Sequence, residues 1–154
     1  SKISMNIQRV KQGARITYIN GLYMILLGFF IIFFDDMSMK ANFNAINQLW
    51  GFFSKFNPEI ANIFSLYHIL IGTLLIPSGI IIIYLSDYII KRKEKMTWIM
   101  LFLFGIIEWV SILIIALLLK NIFLIIITFI GWAMFCLGML IPIEYYLQKN
   151  YREY

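Results

Sequence analysis

Four long apolar runs divide this chain, at residues 16–34, 60–85, 97–119 and 122–143, and each matches or exceeds the span of a membrane helix. A helix needs about 20 residues to cross a hydrocarbon core of about 30 Å. In lipid every backbone N–H and C=O must find its partner inside the protein, so isolated runs of this length form helices. The expected fold is therefore an all-α integral membrane protein, one four-span domain over residues 1–154 built as a four-helix bundle. Composition agrees, with 62% hydrophobic and only 14% charged residues, against about a quarter charged in soluble domains.

The placement of basic residues predicts orientation. Of 13 Lys and Arg residues, Lys2, Arg9, Lys11 and Arg15 precede the first run, and Lys91, Arg92, Lys93 and Lys95 separate the second from the third. Lys149 and Arg152 follow the fourth, which leaves only Lys40, Lys55 and Lys120 for the other connections. Positive charge concentrates on cytoplasmic loops, so the N-terminus, the middle loop and the C-terminus are expected on the cytoplasmic side of a cell membrane. Juxtamembrane placement accounts for the net charge of +5 without a nucleic-acid partner, for which no basic face with polar readers is present.

The hydrophobics Ile3, Ile7, Val10 and Ala14 share one helical face, and this basic first segment is expected to lie along the inner membrane surface. The first apolar run is longer than a signal h-region and is read as a retained span that ends at Asp35 and Asp36. Residues 41–56 are patterned as an amphipathic helix between spans one and two, on the outer side. Phe43, Ile46, Leu49, Trp50, Phe52, Phe53 and Phe56 project to one face, and Asn44, Asn47, Gln48, Ser54 and Lys55 to the other.

Asn57-Pro58-Glu59 then supplies a helix start. Pro77 inside span two and Pro142 near the end of span four each remove a helical donor and are expected to kink their helices. Only Lys120-Asn121 joins spans three and four, which predicts a tight antiparallel hairpin, and Tyr145, Tyr146, Tyr151 and Tyr154 read as interface anchors.

Glycines recur seven apart in three spans: Gly21 and Gly28, Gly72 and Gly79, Gly131 and Gly138. Seven residues make nearly two turns, so each pair forms a smooth stripe on which another helix can approach closely.

Two ionisable residues interrupt the apolar runs. Glu108 lies ten residues beyond Trp98, and His68 about ten residues into the second run, which puts both about 15 Å deep by helical rise. Charge in a bilayer centre is expensive and turns toward protein or water. His68, Gly72, Leu75 and Gly79 share a stripe, so the expectation is a polar intramembrane pair, His68 with Glu108. It would serve as a proton relay, acid/base couple or recognition point, or simply as a register-setting hydrogen bond.

Asn20, Tyr23 and Glu144 fall near the inner boundary and are read as solvated by water or headgroups. One His, one Cys and scattered Met residues do not complete a common haem or metal site, and Cys136 reads as a packing residue. No cofactor or metal is expected, and no phosphate loop, nucleophile elbow or dinucleotide fingerprint occurs in a suitable context.

The resulting functional expectation is a small accessory or structural subunit of a larger membrane complex, without catalytic activity of its own. Its partners would be membrane lipids and other membrane subunits or copies of itself. Two alternatives stand beside it: a transporter or binding protein for a small hydrophobic or protonatable molecule, with His68 and Glu108 lining its site, and a membrane-embedded enzyme working by acid/base isomerisation.

Overall fold

The computed structural model describes residues 2–46 and 49–148. Four helices in it are long and apolar enough to cross a membrane: α1 (Lys2–Phe33), α4 (Pro58–Arg92), α5 (Lys95–Leu119) and α6 (Ile122–Leu140). Three short helices complete the order, α2 (Asp35–Ala45) and α3 (Trp50–Phe56) between α1 and α4, and α7 (Ile143–Leu147) after α6.

Glycine contacts set the packing of α1. A Cβ on Gly28 would meet the Gly72 carbonyl oxygen at 2.6 Å, and one on Gly21 would meet that of Gly79 at 2.8 Å. The pairings 28 with 72 and 21 with 79 make α1 and α4 antiparallel, backbone against backbone, and this is the most extensive interface in the fold. On its other side α1 runs antiparallel to α6, where Gly13 sits against the Gly138 carbonyl and Pro142. The α5–α6 hairpin interlocks instead by rings set over missing side chains. Phe135 occupies the space above Gly105, and the Trp109 indole lies over Gly131. The helices thus surround the core in the order α1, α4, α5, α6, with α4 and α5 touching most sparingly.

Two lysines close the tight joins. Lys93 (φ 51°) and Lys120 (φ 57°) adopt left-handed backbone at the C-caps of α4 and α5, a conformation that costs a non-glycine residue about 1–2 kcal/mol. Their charges sit favourably at helix C-termini. Asn121 then caps α6, its side chain accepting from the Leu124 N–H at 3.3 Å.

Two expectations change. The basic first segment is continuous with span one in a single 32-residue helix, because Asn6, Val10, Gly13 and Ala14 are buried rather than laid aside from the bundle. The segment 41–56 is two helices rather than one. The first ends at Ala45 and the second starts at Trp50 after an extended Leu49, and Phe43 and Trp50 bring their ring centroids to 4.8 Å. Asn47 and Gln48, assigned to its polar face, lie outside the described residues, as do Tyr151 and Tyr154. Pro77 lies inside α4, which continues through it, and Pro142 stands at the break between α6 and α7.

Candidate functional site

Asp35 opens α2, one residue (Phe34) beyond the end of α1. It is the acceptor that organises the end of the bundle opposite the basic clusters. Its Oδ1 lies 2.7 Å from His68 Nδ1, and its Oδ2 accepts from the Ser65 hydroxyl at 2.8 Å. Ser65 and His68, three apart, share one face of α4. The α1–α4 glycine register carries that face to the end of α1, where Asp35 waits. Both side chains of the His68–Asp35 pair are only 16% exposed. Beside it Asp36 Oδ1 accepts from the Trp50 indole N–H at 2.8 Å and ties α3 back to the start of α2.

His68 also forms part of a pocket of about 270 Å³ between the end of α1, α2, α4 and the start of α6. Leu27, Phe30, Ile31, Phe123, Leu124 and Ile127 make its apolar walls, and Ser38, Asn42 and Asn121 contribute polar groups. Asn121 Nδ2 donates to Asn42 Oδ1 at 2.7 Å, which fastens α2 to the α5–α6 join. His68 lines the pocket, while Asp35, which meets it at Nδ1, is not part of the wall.

A second polar cluster lies deeper. Asn20, fully buried, donates to the Gly131 carbonyl at 2.8 Å and accepts from the Trp109 indole N–H at 2.8 Å. Tyr23 donates to the Ile127 carbonyl at 2.7 Å, and Ser86 bonds Thr17 across α1 and α4 at 2.8 Å. Each of these groups is closed on a protein partner, so the cluster locks helices together and presents no open chemistry. The reading of Asn20 and Tyr23 as solvated boundary residues is therefore corrected.

The pair expected from the sequence does not form. His68 bonds Asp35, and Glu108 faces the Ser78 hydroxyl on α4, in the sparse seam between α4 and α5. Ser78 is ten residues along α4 from His68, about 15 Å. The depth argument failed because it measured from the start of the apolar run, whereas α4 overhangs the end of α1. Residues 58–64 lie beyond the level of Asp35, so His68 sits at the end of α1 rather than at mid-bundle.

Of the glycines, Gly21, Gly28, Gly72 and Gly79 all lie in the α1–α4 contact. Gly131 lies under Trp109, and Gly138 against Thr17 and Gly13. Glu144 is exposed and pairs with Arg9 at 3.1 Å, and Cys136 is half-buried. From the sequence Asp35 reads only as the stop of span one and Asn121 only as part of the α5–α6 join, and Asn42 carries no signal. The one signal is the Ser65/His68 spacing, which sets two polar side chains on one face of the helix, where a single polar partner can meet both.

Among the described residues no three His, Cys, Asp or Glu side chains gather closely enough to hold a metal ion. Comparison of the chain with protein-family models, curated proteins and solved structures finds no match.

Proposed function

We propose that this chain is a four-span cell-membrane protein with both termini cytoplasmic, and that it binds a small, mainly apolar molecule at the end of the bundle away from the cytoplasm. The observation that carries this reading is the 270 Å³ pocket, apolar in its walls and supplied with one histidine held from behind by a carboxylate. Ligand sites are characteristically concave, apolar and furnished with a few fixed polar groups. An engineered apolar cavity of about 150 Å³ accepts benzene, so this pocket has room for a larger ring system or a short chain.

The test is small-molecule retention. Protein extracted in mild detergent should carry a low-molecular-weight compound detectable by mass spectrometry, and Ala41→Trp or Leu124→Trp, which fill the pocket, should release it. Identical bound species in the wild type and in both folded variants would overturn the proposal.

A specific feature favours a second reading, the accessory subunit. Phe52 and Phe56 of α3 and Ile60 and Ile63 of α4 form an exposed apolar cap beyond the end of α1. Larger apolar patches of this kind mark contact with lipid or with another protein. Native electrophoresis after gentle solubilisation decides it: a discrete larger assembly supports the subunit role, and a monomer that retains the ligand contradicts it.

A further inference from the structure

The pocket's polar groups select among apolar ligands, and this selection rests on the binding role proposed above. Ionised carboxylates only accept hydrogen bonds, so the Asp35 Oδ1 contact at 2.7 Å places the proton of a neutral His68 ring on Nδ1. The Ser65 hydroxyl, donating to the other Asp35 oxygen at 2.8 Å, holds that carboxylate in place. The second ring nitrogen, Nε2, then carries the ring's lone pair, and since His68 lines the pocket while the Asp35 that takes Nδ1 does not, Nε2 is the acceptor the neutral ring can offer a ligand there.

The remaining polar wall offers little competition. Both polar atoms of the Asn121 side chain are engaged, one with Asn42 and one with the Leu124 N–H, and Asn42 spends its carbonyl oxygen on Asn121. What is left toward the pocket is one acceptor at His68, the amide N–H donors of Asn42 and the Ser38 hydroxyl, within apolar walls. An anionic ligand bound at His68 would bring its charge within one imidazole ring of the Asp35 carboxylate, and like charges at that range repel.

We infer that the ligand is a neutral apolar molecule bearing a hydroxyl group, with its O–H donated to His68 Nε2 and its ring or chain against Leu27, Ile31, Leu124 and Ile127. The volume of about 270 Å³ is somewhat less than twice that of the cavity that takes benzene, which suits a bicyclic or alkyl-substituted phenol. Discrimination comes from the hydrogen bond, since a site with a buried acceptor disfavours the ether that cannot satisfy it.

The experiment compares 1-naphthol, 1-methoxynaphthalene and 1-naphthoate as probes of the full chain in lipid nanodiscs, with empty nanodiscs correcting for partition. The wild type should bind 1-naphthol about three- to tenfold more tightly than the methyl ether, the range of one net hydrogen bond, and should bind the carboxylate most weakly. His68→Phe should abolish the preference while still binding both neutral probes, and Asp35→Asn should reduce it. Thermal unfolding verifies that each variant is folded, and His68→Leu serves if His68→Phe is not.

Equal affinity for naphthol and ether in the wild type, with both displaced by Leu124→Trp, overturns the hydroxyl assignment and leaves the binding role standing. Probe binding that neither pocket-filling variant reduces overturns the binding role itself. A preference for naphthol that survives His68→Leu assigns the acceptor elsewhere and overturns the role of Nε2.

Discussion

The Trp109 indole N–H meets Asn20 Oδ1 at 2.8 Å, and the same amide donates to the Gly131 carbonyl at 2.8 Å, so one side chain on α1 holds both arms of the α5–α6 hairpin. Gly131 makes this possible twice over. Its missing side chain admits the indole, and its carbonyl takes the Asn20 donor.

Asn20→Leu should therefore destabilise the bundle without altering its apolar volume greatly. Interhelical hydrogen bonds in membranes average about 0.6 kcal/mol, and an indole N–H left without acceptor adds to that, which puts the loss at about 1–3 kcal/mol. Reversible unfolding in mixed micelles measures it. Wild-type stability in Asn20→Leu would show that the three-helix junction contributes nothing.

Close backbone approach between α1 and α4 predicts a sharp positional contrast among glycines. Gly28→Ala and Gly79→Ala each put a Cβ 2.6 Å from a carbonyl oxygen of the facing helix, and overpacking of this kind costs about 1–3 kcal/mol. Gly51 in α3 has nothing within 4 Å, so Gly51→Ala should be neutral or stabilising by about 0.5–1 kcal/mol through helix propensity. Thermal melts of the three variants side by side check the order, and equal effects would contradict the interface.

Double-mutant cycles distinguish the partner of His68. The cycle His68→Ala with Asp35→Ala should give a coupling of about 1 kcal/mol or more, as expected of a charge-assisted hydrogen bond. His68→Ala with Glu108→Ala should be additive to within about 0.5 kcal/mol, since ten residues of α4 separate their contacts. Strong coupling to Glu108 would restore the pairing expected from sequence.

Orientation is tested by accessibility. In a Cys136→Ala background, Lys55→Cys should react with a membrane-impermeant maleimide on intact cells, while Arg92→Cys should react only after permeabilisation. Both positions are exposed, so burial does not explain a difference. The reverse pattern would invert the topology proposed from the basic loops.

Much of this architecture was written in one dimension. The four long helices follow from apolar length alone, because an apolar segment of that length placed in lipid has no other way to satisfy its backbone. Pro142 and the Lys120-Asn121 join announced their break and their hairpin by missing donors and by brevity. Glycines spaced by seven marked the sides of α1 and α4 that meet.

Partner choice was not legible in that way. Depth counted along a single run places a residue relative to its own helix, whereas a contact depends on the offset between helices. That offset is decided where Gly28 meets Gly72 and Gly21 meets Gly79. It slides α4 past the end of α1, delivers His68 to Asp35 and leaves Glu108 to Ser78. Asn20 likewise looked like a boundary residue until Trp109 and Gly131 closed around it. Helix formation is local and readable from composition, while the register between helices emerges from simultaneous packing of several faces, and only the tertiary structure resolves it.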